Sequence, residues 1–207
     1  MDHGEFFVSM FVSDRRVHLS WEVIIVYGPT DHGRSADFLA ELKNKVERCT
    51  TPVVVAADFN LIRWASDKSS PNVDRARMRL FNDCIADLVL REIARIGARF
   101  TWSNEQTDPI QSVLDRVFVS GQWEVMFPLC GLKAVTRIGS DHTPLMFSLG
   151  EGSPLDPVAS ALKRCGWSNL VFVSWFINVG VWRSRPRLAS SVWWIYGTIV
   201  LSWLDRP

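Results

Sequence analysis

Hydrophobic positions fall into two periods along the chain. Trp21-Glu-Val-Ile-Ile-Val-Tyr27 is a compact β-branched run closed by Gly28-Pro29, which predicts a buried strand ending in a turn. Phe38, Leu39, Leu42 and Val46 then recur at the spacing of one helix face, with Ser35 ahead of them as the predicted N-cap. Pro52 opens a second apolar run, residues 53–57, which delivers Asp58-Phe59-Asn60 at its C-terminal end. The helical spacing returns after Asn72 at Met78, Phe81, Ile85, Leu88 and Val89. Residues 100–102, 112–119 and 145–147 supply further strand-like runs. Strand, helix, strand, helix and then several strands predict a mixed sheet with helices packed outside it, an α/β (α+β) domain. Polar residues stand at the strand ends, where such folds build their sites.

The pattern changes after Gly150. Glu151-Gly-Ser-Pro-Leu-Asp-Pro157 reads as a linker, so residues 1–150 are expected to form one domain and 151–207 an appendage. Six of the ten tryptophans, Trp167, Trp175, Trp182, Trp193, Trp194 and Trp203, lie in that tail. Its two apolar stretches, 170–182 and 192–204, flank the basic hinge Arg183-Ser-Arg-Pro-Arg187. Both are shorter than the ~20 residues of a spanning helix. An interfacial hairpin at a membrane and translated sequence without evolved structure are the two readings, the second preferred.

Composition changes this picture little. At 47% hydrophobic and 22% charged, the 207 residues suit a packed core and argue against long disorder. A net charge of +1 gives no global basic field, which still allows a local phosphate-binding cluster. Cys49, Cys84, Cys130 and Cys165 form no C-x-x-C pair and are expected to be reduced, mostly buried thiols of an intracellular protein. Acid occupies the N-terminus where a secretory signal carries base, and the apolar run that follows is very short, so secretion is not indicated.

Four short segments carry candidate chemistry: Tyr27-Gly28-Pro29, Asp58-Phe59-Asn60, Leu114-Asp115-Arg116 and Ser140-Asp141-His142. Each alone is a common turn or loop motif. Together, in this order and each after a β-rich run, they place three carboxylates, an amide and an imidazole at strand ends. Tyr27 as a strand cap, Asp115 as an ion-pair partner of Arg116 or a surface arginine, and Trp102 as a core aromatic are the structural alternatives. Arg75, Arg77 and Arg79 are expected on a solvated helix face.

The succession Y-G-P, D-F-N, F-T-W-S-N, S-x-L-D-R and S-D-H-x-P resembles the endonuclease/exonuclease/phosphatase (DNase I-like) superfamily. Gly97-Ala-Arg-Phe-Thr-Trp-Ser-Asn104 and Trp123-Glu-Val-Met-Phe-Pro128 look like plant LINE-type non-LTR retroelement endonucleases, and the match covers about residues 5–149. The resemblance implies a four-layer α/β/β/α sandwich and metal-dependent hydrolysis of DNA phosphodiesters. It implies that Asp58 orients or deprotonates the attacking water and that Asn60, on the same side of an extended chain, hydrogen-bonds the phosphate. His142 would donate to a non-bridging oxygen, with Asp115 holding its tautomer and charge. Asp141 would ligate Mg²⁺ (or Mn²⁺), Tyr27 would add a hydroxyl, and Trp102 would line a DNA-contacting loop. A nuclear monomer is the corresponding expectation.

Family members begin with a strand ending in Asn and, some thirty residues on, a Glu that is the principal metal ligand. No Asn precedes Tyr27 here, and neither Glu5 nor Glu22 is assigned as the ligand. The expectation is therefore a domain incomplete at its N-terminus, with a weakly held metal and impaired activity. Ala56-Ala57 stands where the family approaches its Asp through glycine, and Val113 where a basic residue is common. An inactive remnant or binding module, and a same-fold inositol-phosphate or lipid phosphatase, are the competing readings.

Overall fold

A computed structural model describes residues 1–14, 18–137 and 139–149, with the backbone alone of 172–173, 191–195 and 198–202. In chain order the elements are β1 (Asp2–His3), β2 (Phe7–Asp14), β3 (Leu19–Tyr27), α1 (Ser35–Glu47), β4 (Val53–Asp58), α2 (Arg75–Asp87), β5 (Leu90–Glu92), β6 (Arg95–Ile96), β7 (Trp102–Ser103), β8 (Gln111–Ser112), β9 (Asp115–Ser120), α3 (Gly121–Met126), β10 (Gly131–Ala134) and β11 (Leu145–Ser148). Six strands form the first sheet in the order β1-β2-β3-β4-β9-β5. A second sheet includes β11, β10 and β6 in that order.

Alternation along β3, β4 and β9 sends successive side chains to opposite faces. Ile24, Val26, Val53, Val55 and Phe118 meet Phe38, Leu39 and Leu42 of α1 and Phe81, Cys84 and Ile85 of α2. Phe59 sits at the centre of this cluster, with ring centroids 5.3 Å from Phe81 and 5.1 Å from Phe118. Burying one such ring contributes about 1.5–3 kcal/mol. Val23, Val54, Ala56, Val117 and Val119 face the other way, onto Leu132, Ala134, Leu145 and Phe147 of the second sheet and onto Trp123 and Phe127. The result is helices, sheet and second sheet in layers, the α/β class expected. The outer helical layer of a four-layer sandwich has no counterpart among the described residues.

Several local expectations change. Ser35 is the first residue of α1 rather than its cap: Arg34 is the N-cap, and the Ser35 hydroxyl donates to His32 O at 2.9 Å to close a 3-10 turn. The second helix is capped instead by Asp74, whose side chain accepts from Ala76 N and Arg77 N. Val89 lies beyond α2 with φ 51° and is 79% exposed, so it belongs to a turn and not to the apolar face. The run 112–119 is two strands, because Leu114 N and Asp115 N are drawn onto Thr101 Oγ1 instead of a neighbouring strand. The short apolar run near the N-terminus is the eight-residue strand β2, paired along its length with β3. Arg75 and Arg79 are exposed and Arg77 pairs with Asp74, the solvated face expected.

Cys49, Cys84 and Cys130 are free thiols, and burial pushes Cys49 up to about 12, which keeps it unreactive. The expectations for the linker, the tryptophans, the apolar stretches and Cys165 lie outside the described side chains. Among the described residues no helix is long and apolar enough to cross a membrane.

Candidate active site

The register of the first sheet assembles the site. β3 and β4 run parallel with Tyr27 opposite Asp58, and β4 and β9 run antiparallel with Asp58 opposite Asp115. Tyr27, Asp58 and Asp115 therefore form one row across three adjacent strands, at the end where β3 and β4 finish. Their parity with Val23, Val54 and Val117 places them on the face that looks toward the second sheet.

Backbone geometry at the end of β4 is unusual. Ala57 has φ 107° and Asn60 has φ 51°, both in the left-handed region. Asn tolerates that conformation and Ala does not, so the strain sits at Ala57. Gly28 is required by close approach: a Cβ there would lie 2.0 Å from the Phe59 carbonyl oxygen, while Gly28 N donates to Asp58 O at 2.8 Å. The Tyr27-Gly28 turn and the Asp58-Phe59-Asn60 turn are thus pressed together, with no room for a side chain between them.

Asp58 is 5% exposed. Its carboxylate accepts from Asn60 N at 2.9 Å and from the Asn60 amide at 3.0 Å. That amide also donates to Gly28 O at 2.8 Å, and a carbonyl partner fixes its nitrogen unambiguously. Asn60 does not continue an extended chain beside Asp58, as expected from sequence. Its left-handed backbone folds it back, and both amide hydrogens are committed to Asp58 and Gly28. Burial foremost, then the charge of Asp115, pushes Asp58 up to about 7, against the pull of His142 and the Asn60 N–H.

His142 enters from the β10–β11 connection. Its Nδ1 lies 2.9 Å from Asp115 Oδ2, and its backbone forms a bridge with Trp102. Burial alone would depress the imidazole; the hydrogen bond and charge of Asp115, with Asp58 and Asp141 behind it, outweigh this and raise it to about 9. Asp115 pairs with this histidine and not with Arg116, which is 3% exposed and turned to Asp67, Glu92 and the Val113 carbonyl. Asp141 Oδ2 accepts from Trp102 Nε1 at 2.9 Å, and Asp141 O accepts from Ser103 N and from Arg137. Trp102 is thus half-buried and tied to the site by its indole. Tyr27 is half-buried too, its phenol raised by burial, then by Asp58 and Asp141, so it stays a donor.

Two groups were not singled out from sequence. Thr101 is fully buried and its Oγ1 accepts from Leu114 N and Asp115 N, so it fixes the backbone that presents Asp115. Arg116, Asp67, Glu92, Arg63 and Asn82 form a connected polar network behind β9, joined to the site backbone where Val113 N donates to Asp67 O at 2.8 Å. Thr101 lies inside the F-T-W motif and Arg116 inside L-D-R, so the motifs held the signal; their neighbours drew attention first.

The described residues do not fit a protein-held Mg²⁺ or Mn²⁺. Asp141 Oδ2 accepts from Trp102 and both Asp58 oxygens from Asn60, each keeping a lone pair, but among the described residues no group of three or more His, Cys, Asp or Glu is arranged to hold a metal. What remains is a proton-handling set, with one carboxyl poised near neutrality, a charged imidazole held from behind by a second carboxylate, and a phenol donor.

A layered α/β fold thus carries a carboxyl–imidazole cluster at its strand ends. A family model described as Endonuclease-reverse transcriptase matches residues 21–146, and the chain belongs to that family, within the endonuclease/exonuclease/phosphatase superfamily. Two solved structures share the fold. The 3′ phosphatase NExo from Neisseria, bound to a product DNA hairpin, is 18% identical, covers 70% of this chain and 64% of its own, and superposes with TM-score 0.53. The AP endonuclease LMAP from Leishmania major is 14% identical over 70% of this chain and 54% of its own, with TM-score 0.51. The endonuclease domain of TRAS1, a telomere-specific non-LTR retrotransposon, is 17% identical over 69% and 62%, with TM-score 0.49. The chain spans less than two thirds of the length of each of these. No curated protein matches it in sequence.

Proposed function

We propose that this chain is the nuclease portion of a retroelement-type protein and hydrolyses phosphodiester bonds in DNA. The observation that supports it most is the row Tyr27–Asp58–Asp115 with His142 held on Asp115 at 2.9 Å. Those groups supply a base, an anion donor and an orienting carboxylate at one strand-end mouth.

The division of labour follows from the bonds. With Nδ1–H committed to Asp115, a charged His142 offers Nε2–H to a phosphate oxygen. Below about 9 the ring is charged, so at neutral pH it is a cationic donor rather than a base. Asp58, raised to about 7, takes a proton from the attacking water near neutrality. Asn60 keeps both Asp58 oxygens in place, and Tyr27 adds a hydroxyl donor. Asp141 is oriented by Trp102 beside His142. A DNA substrate would place the working protein in the nucleus.

Nicking of supercoiled plasmid, with Mg²⁺ or Mn²⁺ in the buffer, tests the reading. Activity is expected for the intact chain and a loss of 10²-fold or more, on the order of one general acid or base, for Asp58→Ala and for His142→Ala. No nicking by the intact chain at high protein concentration, or nicking that survives both substitutions, refutes it.

A further inference from the structure

Beside the strand-end mouth lies a cavity of about 400 Å³ whose lining includes Arg99, Phe100, Trp102, Gln111, Arg137 and Thr143. It adjoins the site through bonds already described: Trp102 Nε1 donates to Asp141 Oδ2, and Arg137 donates to Asp141 O. The turn that presents Arg99 is fixed by its own bonds. Arg95 donates to Ala98 O and Arg99 O, consuming the turn's carbonyls, and Gly97 takes φ 100° where Ala134 O would lie 3.1 Å from a Cβ. The Arg99 guanidinium rests 5.0 Å from the centroid of the Phe100 ring. Arg99 and Arg137 are both exposed, and among the described residues neither forms an ion pair with a carboxylate, so both guanidiniums are open to an anion. Two unneutralised guanidiniums, an indole, a phenyl ring and an amide in one concavity match a nucleotide unit, a phosphate with a flat ring beside it.

We propose that this cavity seats a phosphate of the DNA backbone next to the one hydrolysed, gripped by Arg99 and Arg137. The proposal rests on the phosphodiesterase reading for its polymer but not for its test. Binding of a short fluorescein-labelled DNA duplex to the full chain is followed by anisotropy without divalent metal, from about 50 to about 200 mM KCl. Arg99→Gln and Arg137→Gln are each expected to weaken binding on the order of tenfold, the scale of one charge-assisted contact. Losing both, in Arg99→Gln/Arg137→Gln, should take about 0.9 off the slope of log affinity against log salt, the one phosphate contact they share. Arg48→Gln, an equal loss of charge past the far end of α1, is the control and leaves both quantities at the wild-type value. Unchanged thermal midpoints show that the variants fold.

Wild-type affinity in both arginine variants and a wild-type slope in the double variant overturn the proposal, as does an equal loss in the Arg48 control. If the variants lose affinity while Asp58→Ala binds normally and nothing nicks plasmid, the pocket stands and hydrolysis falls. If plasmid is nicked and the arginines prove indifferent, hydrolysis stands and the pocket falls.

Discussion

Replacing Asp115 with Asn removes the charge that holds His142 protonated, and the structure fixes how large the effect is. The imidazole moves from its ordinary 6.5 to about 9 despite burial, and the ring is 13% exposed against an Asp115 that is 3% exposed, so solvent screens the pair little. That displacement corresponds to about 3 kcal/mol of preference for the charged ring, taking about 1.4 kcal/mol per tenfold. Because the folded value lies above the unfolded one, this stabilisation is fully present below pH 6.5 and is lost as pH rises through about 9. Asp58 acts in the same direction: raised to about 7 from 3.8, it favours the fold in acid and withdraws that support as it ionises. The assay is a pH titration of the His142 ring by NMR, with urea unfolding at about pH 6 and about pH 9.5. In the wild type the ring should titrate near 9, and unfolding should grow easier across that interval by about 3 kcal/mol from the imidazole and about 1 kcal/mol more as Asp58 ionises. In Asp115→Asn the ring should fall toward or below 6.5, since burial then dominates, and the pH dependence should flatten. A wild-type ring titrating near 6.5, or one indifferent to Asp115→Asn, would show that the hydrogen bond does not govern the imidazole.

Ala57→Gly relieves a φ of 107°, worth about 1–3 kcal/mol of strain, against about 0.5–1 kcal/mol of added chain entropy, so urea unfolding should show a gain of about 1 kcal/mol. An unchanged or lower stability would mean the strand end is not strained. Gly28→Ala forces a methyl to within 2.0 Å of Phe59 O and should lower stability by about 1–3 kcal/mol, with the NMR signature of the Asp58–Asn60 turn altered; a neutral variant would refute the close approach. Arg116→Met leaves Asp67 and Glu92 facing each other beneath β9 and should cost about 3–5 kcal/mol in urea unfolding, whereas a cost under about 1 kcal/mol would make the network dispensable. Mg²⁺ at about 1 mM should leave the thermal midpoint nearly unmoved, because one half-committed aspartate holds the ion too weakly to stabilise the fold; a rise of several degrees would reveal a site beyond these residues.

The elements that sequence exposed are those whose apolar residues are both numerous and periodic. β4 is buried at every position, and its unbroken apolar run could only be a central strand. α1 and α2 were legible for the same reason, since Phe38, Leu39, Leu42, Phe81 and Ile85 mark one face each. Caps were misjudged where competing bonds decide them. Ser35 has a hydroxyl suited to an N-cap, yet the preceding 3-10 turn presents the His32 carbonyl first. β2 was missed because its polar residues are not all on the solvent side: Ser9 is 1% exposed while Phe11 is 58% exposed, which breaks the alternation by which a half-buried strand announces itself.

The site was legible as a set of residues but not as a network, and the difference is one of scale. Motif order brought Asp58, Asp115 and His142 to notice, and strand register then set Asp58 opposite Asp115 without any further requirement on sequence. What the motifs could not convey is which bonds each group has already spent. Asn60 has the right chemistry for a phosphate, but its left-handed backbone turns both amide hydrogens onto Asp58 and Gly28, which makes it a positioning residue in the state described. Arg116 has the right chemistry for Asp115 one residue away, but adjacent residues on a strand point to opposite faces, so it serves Asp67 and Glu92 while His142 takes the carboxylate. The same parity separates the two jobs of β9, with Asp115 facing the second sheet and the loop that carries His142, and Arg116 anchoring the strand from behind. The site on this scaffold therefore depends on the backbone between Thr101 and Arg116 as much as on the titrating groups, because a slip of one residue in β9 would exchange the carboxylate for the guanidinium and leave His142 facing a like charge.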